Sequence, residues 1–207
     1  MKAPDERRVG VLISGRGSNL QALMDAQAAG ELGGSIVLVI SNVAAAAGLE
    51  RARAAGIPTA VCDHRGRSRE AHDEEMRGLL QQGGVDLVCL AGYMRLLSPA
   101  FIRAFAGRIL NVHPSLLPAF PGTDAQRKAF EHGVKVSGAT VHLVEEALDA
   151  GPILLQEAVP VMESDTADTL AARILEAEHR IYPRAVRIAL EGRYRLQGRR
   201  VLLEGPA

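Results

Sequence analysis

Short apolar runs rich in Val, Ile and Leu recur along this chain between segments of helical character, and that alternation limits the fold more than any other feature. Strands buried on both faces carry continuous apolar residues, the mark of parallel strands joined by crossover helices. The first run, Val9 to Ile13, passes through Ser14-Gly15-Arg16-Gly17 into a helix expected from about Ser18 to Ala29 and closed by Gly30. A strand from Ile36 to Ser41, a helix around Leu49 to Ala55, a strand near Thr59 to Cys62 and a helix from about Ser68 to Gln82 continue the pattern. Val85 to Ala91 supplies a fourth strand. Pro99 after Ser98 starts a short helix, and Arg108 to His113 supplies a fifth strand ahead of a proline-heavy turn.

Val136 to Val144 and Ile153 to Val161 read as an antiparallel pair at the sheet edge, joined by the loop Glu145 to Pro152. A long helix is expected from about Thr166 to Glu191, with Leu170, Ile174, Ala177 and Ile181 along one stripe. Arg193 to Leu196 and Arg199 to Leu203, split by Gln197-Gly198, close the chain as a hairpin. The class expected is α/β: an open, mostly parallel, Rossmann-like sheet with helices on both faces and an antiparallel edge. No repeat, low-complexity tract or linker divides the 207 residues. A single domain over 1–207 is therefore expected, with 1–7 a loose N-terminus and 193–207 the C-terminal hairpin and tail.

Composition removes several functional classes. A formal net charge of +0 and a pI near 7.0 give no long-range field to draw in nucleic acid or an anionic membrane, so any anion must be captured locally. Cys62 and Cys89, in apolar runs and without a CxxC spacing, read as reduced core thiols. No stretch approaches the roughly 20 apolar residues that span a bilayer, and MKAPDERRVG lacks a signal-peptide hydrophobic region, so a cytoplasmic location is expected. The basic cluster Arg193, Arg195, Arg199 and Arg200 reads as a solvated hairpin edge and receives no function.

The turn Ser14-Gly15-Arg16-Gly17-Ser18-Asn19-Leu20-Gln21 joins a strand to a helix, where glycines let backbone amides approach an anion. Leu20 occupies the place of the third glycine of a dinucleotide fingerprint, and no acidic residue ends the second strand at Ser41-Asn42, which disfavours a nicotinamide cofactor. Without a GK[ST] ending, a single phosphate monoester fits better than a polyphosphate. The alternative is a tight turn with a Ser18–Gln21 capping box.

Strand period two puts Asn111 and His113 on one face at a carboxyl end, where ligand sites of α/β sheets lie. An amide donor beside an imidazole that can hold a proton near neutral pH suits acyl transfer, in which an oxyanion is stabilised and a proton shuttled. The alternative is that both merely cap the strand end. Asp149, in Ala147-Leu148-Asp149-Ala150-Gly151-Pro152, is a plausible carboxylate partner for His113, although Asp-Ala-Gly is also a common turn.

Together ISGRGSNLQ, LAGYMRLLSP, LNVHPSLLPAFPG, GATVHLV, LDAGPILLQ and the segment Glu178 to Pro183 resemble the phosphoribosylglycinamide formyltransferase family of folate-dependent enzymes, in order from about residue 8 to 190. The resemblance implies transfer of formyl from 10-formyltetrahydrofolate to the amine of glycinamide ribonucleotide in de novo purine synthesis. The implied catalytic trio is Asn111, His113 and Asp149, with no metal. Gly17, Ser18, Asn19 and Leu20 would grip the ribonucleotide phosphate, and Glu178 the ribose or glycinamide end; a salt bridge from Glu178 to Arg180 or Arg173 is the structural alternative. The folate would lie against Met94, Arg95, Leu96 and Leu97 with Arg69 near the formyl-folate, while Glu145, Glu146, Ala147, Leu148 and Asp149 close over the pterin. Leu96 and Leu97 would otherwise be core, and Arg69 solvated.

The implied partners are small molecules, on a monomer or homodimer. The segment from Pro118 to Gln126 departs from relatives that carry a lysine after the proline and histidines after the glycine. Formyltetrahydrofolate hydrolase and methionyl-tRNA formyltransferase share the Asn-x-His and distant Asp but carry an extra regulatory or RNA-binding domain. A non-catalytic nucleotide or folate sensor is a third class, to which an intact Asn, His and Asp are ill suited.

Overall fold

The computed structural model describes residue 3 and residues 6–204. Residues 1, 2, 4 and 5 of the expected loose N-terminus, and 205–207 of the expected tail, lie outside the described residues. The elements are β1 (Arg8–Ile13), α1 (Ser18–Ala28), β2 (Ser35–Ser41), α2 (Ala47–Ala54), β3 (Thr59–Val61), α3 (Arg69–Gln82), β4 (Leu87–Leu90) and α4 (Pro99–Ala104). They continue through β5 (Ile109–His113), α5 (Ala125–His132), β6 (Val136–Leu143), β7 (Ile153–Pro160), α6 (Ala167–Glu191), β8 (Tyr194–Gln197) and β9 (Arg200–Leu203).

The strands form one sheet in the order β3-β2-β1-β4-β5-β6-β7-β9-β8. Its first five members are parallel, and β6 runs against both β5 and β7. Strand order reverses beside β1, so the loops after β1 and β4 leave the sheet in opposite directions and open a crevice at its carboxyl edge.

Side chains leave the parallel strands alternately. Val9, Val11, Ile13, Cys89, Leu110 and Val112 pack under α1, α2 and α6, whereas Leu12, Val88, Leu90 and Ile109 pack under α3 and α4. Both cysteines are free and buried, and burial pushes each thiol up to about 12. Tyr182 of α6 is fully buried, with its hydroxyl donating to the carbonyls of Leu90 (2.9 Å) and Leu110 (3.2 Å), which ties the helix to the ends of β4 and β5. No helix among the described residues is long and apolar enough to cross a membrane.

Two features differ from expectation. The β6–β7 pair is antiparallel but not the edge, because the C-terminal hairpin pairs outside β7 through Ile153 and Arg200 and takes that place. Helix α5 is not anticipated by the sequence pattern: its buried residues, Ala125 and Ala129, are too small to write an apolar stripe, and Asp124 before it has a left-handed φ of 58° and no side-chain cap. Phe130, partly buried against the core, is the helix's one large apolar residue, too little for a stripe.

Close backbone packing fixes the loop that leaves β6. A β-carbon at Gly151 would lie 1.8 Å from the Leu143 carbonyl oxygen, so only glycine fits two residues after Asp149. Gly151→Ala is expected to destabilise the fold by about 1–3 kcal/mol through overpacking against backbone that cannot yield. Urea denaturation beside the parent would read this, and an unchanged midpoint would refute the packing argument.

Candidate active site

The glycine turn after β1 is shaped by its neighbours. Gly17 caps α1 with φ 73°, and a β-carbon on it would lie 2.6 Å from the Gly48 Cα, while Gly48 N donates to the Gly15 carbonyl at 3.0 Å. The starts of α1 and α2 can approach this closely because both contact residues lack side chains. No side chain caps α1, so the Ser18–Gln21 capping box does not form; Gln21 Nε2 donates instead to Asp25 Oδ1 at 2.8 Å. The first bond of the helix is Gln21 N to the Gly17 carbonyl, which leaves the amides of Ser18, Asn19 and Leu20 ahead of it without helical acceptors. Amides so placed at a positive helix end suit an anion.

Asn19 in that first turn joins the loop to α6. Its Nδ2 donates to Glu178 Oε2 at 2.6 Å, and its Oδ1 is buried without a partner. Glu178 is 5% exposed, and burial, opposed in part by the Asn19 amide, pushes its carboxyl up to about 7. The alternative salt bridges are spoken for elsewhere: Arg180 pairs with Glu157 and Arg173 with Asp165. A buried acid balanced by one amide has capacity left for a hydroxyl or amine ligand.

The expected trio converges, joined by a fourth residue. Asn111 and His113 face the same side at the end of β5, and the antiparallel register sets Asn111 opposite His142 and His113 opposite Thr140. The Asp149 carboxylate, in a residue with φ 49°, stands between two imidazoles: Oδ2 lies 3.5 Å from His113 Nδ1, and Oδ1 lies 3.8 Å from His142 Nε2. Gly122 N donates to Asp149 Oδ2 at 2.7 Å. His113 Nε2 meets the Phe120 carbonyl at 2.9 Å, so both of its ring nitrogens face oxygen atoms.

His142 is absent from the sequence-derived site, and it behaves differently. Its Nδ1 faces the Leu143 carbonyl at 2.8 Å and must donate, while its Nε2 receives the Asn111 Nδ2 donor at 3.2 Å. Burial holds its basicity below the usual imidazole value, against the opposing pull of the Leu143 carbonyl and Asp149. A neutral ring with this tautomer fixes which way the Asn111 carboxamide points. The signal available in the sequence is a histidine inside the apolar run Val136 to Val144, in phase with Asn111 only once the pairing register is known.

Beside these groups lies a cavity of about 280 Å³. Arg69, Arg95, Leu96, Leu97, Asn111, His142, Glu145, Glu146, Ala147, Leu148 and Asp149 line it, together with Leu90, Tyr93, Pro99, Ile102 and Val144. Leu97 is buried core as well as lining, whereas Leu96 and Leu148 are more than half exposed. Two expected residues are not in the wall. Met94 is 73% exposed and its backbone amide is tied to Ser14 Oγ, and His113 lies beyond Asp149. A larger groove of about 970 Å³ runs between α1 and α6 and reaches Ser18 of the glycine turn.

With this geometry in hand, comparison with known proteins is specific. A family described as formyl transferase matches residues 7–186. The trifunctional purine biosynthetic protein adenosine-3 of Bos taurus is 50% identical over 194 residues, which are 93% of this chain but 19% of that protein, so the chain spans about a fifth of its length. Phosphoribosylglycinamide formyltransferase of Escherichia coli strain K12 is 46% identical over 196 residues, 94% of this chain and 92% of that protein. The crystal structure of glycinamide ribonucleotide transformylase 1 from Symbiobacterium toebii superposes with a TM-score of 0.95 at 54% identity, covering 99% of this chain and 96% of that one.

The state of Glu178 is open to direct test. Its folded-state carboxyl is raised from 4.5 to about 7, so the unfolded chain ionises first and the stability of the fold falls as pH rises through that window. Glu178→Gln lacks this loss. Its unfolding free energy relative to the parent is expected to improve by on the order of 3 kcal/mol between pH 4.5 and pH 8. A parent-to-variant difference that stays constant with pH in urea titrations would contradict the buried acid.

Proposed function

The chain belongs to the formyl transferase family, and on that premise we propose that it transfers the formyl group of 10-formyltetrahydrofolate to the amine of glycinamide ribonucleotide. The products are the formylated ribonucleotide and tetrahydrofolate. The observation that carries this reading is the Asp149 carboxylate, 3.5 Å from His113 and 3.8 Å from His142, on the wall of a cavity that also presents Asn111. The cavity, walled by Leu96, Leu97 and the 145–149 loop, takes the pterin. The turn from Gly17 to Leu20 takes the phosphate, and Glu178 takes a hydroxyl or the amine of the sugar-linked end. Residues 1–207 act as one catalytic unit on small molecules in the cytosol, as a monomer or homodimer.

The substrate amine attacks the formyl carbon, and the carbonyl pair moves onto oxygen. Asn111 donates one amide N–H to that oxyanion while its other N–H remains on His142 Nε2, so the donor is aimed before the substrate arrives. His113, its Nδ1 facing the Asp149 carboxylate at 3.5 Å, adds a second donor once its Nε2 exchanges the Phe120 carbonyl for the reacting oxygen or a bridging water. When the tetrahedral centre collapses, the carbon–nitrogen bond to the folate breaks. The leaving nitrogen gains a proton and the attacking amine loses one, and His113 is the group placed to carry it. Each step conserves atoms and charge without a redox partner.

Incubation of the purified protein with 10-formyltetrahydrofolate and glycinamide ribonucleotide is expected to give equal amounts of tetrahydrofolate and formylated amine. Free formate in place of formylated product would mark a hydrolase and overturn the assignment. Asn111→Ala is expected to lower kcat on the order of a hundredfold to a thousandfold with little change in KM; an unchanged kcat removes Asn111 from the mechanism. Asp149→Asn, which keeps a residue tolerant of positive φ, is expected to lower kcat on the order of a hundredfold. Steady-state kinetics that match the parent would exclude the carboxylate role.

A further inference from the structure

The phosphate cradle offers backbone amides but, in its own turn, no fixed cation. A phosphate monoester near neutral pH carries close to two negative charges, so neutral donors alone leave much of its charge unanswered. The nearest candidate by sequence is Arg16, whose side chain makes no hydrogen bond or ion pair among the described residues. Arg51, one turn into α2, is placed otherwise. Its Nε donates to the Arg16 carbonyl at 3.1 Å and its Nη1 to Gln21 Oε1 at 3.3 Å. Gln21 is oriented for this by its own amide, which is bound to Asp25.

A β-carbon on Gly17 would lie 3.6 Å from Arg51 Cδ, so the arginine stem crosses directly over the glycine turn. Arg51 and Ser18 line the same groove. Among the described residues no carboxylate pairs with Arg51, since neighbouring Glu50 is paired with Arg53. Two neutral acceptors thus hold the guanidinium in position and leave its charge and remaining N–H donors uncommitted. The same first turn of α1 holds Asn19, 7% exposed, with a buried and unpartnered Oδ1, an independent sign that this end of the helix is built to meet a ligand.

We infer that Arg51 is the residue by which the enzyme selects a phosphorylated amine over its unphosphorylated counterpart, closing on the phosphate from the α2 side while the amides of Ser18 to Leu20 hold it from the α1 side. This rests on the assignment of the glycine turn as the phosphate site. Because Arg51 is remote from Asn111, His113 and Asp149 in role, its loss weakens capture of one substrate and leaves the chemical step alone.

The test compares the parent, Arg51→Ala, Arg51→Gln and Arg51→Lys. In the alanine and glutamine variants KM for glycinamide ribonucleotide is expected to rise at least tenfold, with kcat within about threefold and KM for 10-formyltetrahydrofolate unchanged; lysine retains most of the affinity. Inorganic phosphate, titrated calorimetrically into each protein, is expected to bind the parent at least tenfold more tightly than the alanine variant. Equal rises in both KM values, or phosphate affinity unaffected by Arg51→Ala, would overturn the inference. If the parent binds phosphate through Arg51 but forms no formylated product, the assigned reaction fails while the role of Arg51 stands. Arg77→Ala on α3, where the arginine only pairs with Glu74, is the control expected to leave every constant unchanged.

Discussion

Antiparallel pairing of β6 against β5 is the constraint from which the site follows. The five parallel strands suffice to build an open sheet with a crevice at its carboxyl edge, but alone they would deliver Asn111 and His113 there with no partner. A reversed neighbour brings its own side chains to the same edge on the same face, because residues opposite each other across a pair share a side of the sheet. Asn111 therefore meets His142, and His113 meets Thr140, whose hydroxyl in turn binds the Ser115 carbonyl and receives the Leu117 amide of the proline-rich turn. Reversal has a second effect: β6 ends where β5 begins, at the cavity's far wall, and the loop to β7 must travel back over the site. Asp149 lies on that return path.

Two kinds of polar burial serve two purposes. The Glu178 carboxyl is buried with an amide and no cation, and the unpartnered Asn19 Oδ1 lies beside it; both are groups whose hydrogen-bonding capacity exceeds what the protein supplies. Sites that await a polar ligand have this character, since an unanswered buried acceptor is costly in a region meant only to be stable. Around Asp149 the balance is reversed. Its carboxylate is answered by Gly122 N and faces two imidazoles, of which His142 has its basicity lowered by burial. Two imidazoles facing one carboxylate divide the work: His142 aims the Asn111 amide, and His113 stands at the end of β5 beside the proline-rich turn.

The sheet was largely legible because buried parallel strands announce themselves as apolar runs, and the bounds of β1, β5 and α6 fall within a residue or two of those expected. Asn111, His113 and Asp149 are legible as residue types in telling local settings, and most of the lining of the 280 Å³ cavity through resemblance. What escaped did so for physical reasons. Helix α5 fully buries only two alanines and adds a single partly buried Phe130, so its hydrophobic periodicity is weak. The outer place in the sheet rests on a single paired position, Ile153 with Arg200, which no local pattern encodes. His142 has no meaning until register is known, because its partner is 31 residues away in sequence. Met94, expected from the LAGYMRLLSP motif, stands 73% exposed with its backbone amide bound to Ser14 Oγ.

The contrast between the two ends of the site is itself functional. The phosphate turn is locked by Gly17 against Gly48 and by the Ser14 hydroxyl, which donates to Asn42 Oδ1 at 2.6 Å and accepts from Met94 N, so three strand ends are tied together. Across the cavity, Glu145, Glu146, Ala147 and Leu148 are exposed, and only Asp149 at the end of this stretch turns inward. Its left-handed backbone costs an ordinary residue on the order of 1 kcal/mol, a strain that persists where surroundings over-determine it. Here the determinants are the Gly122 amide on one side and the tight Gly151–Leu143 contact on the other. A rigid turn at one end and an exposed strap whose final residue alone is fixed at the other suit the proposed roles of phosphate anchor and ring cover.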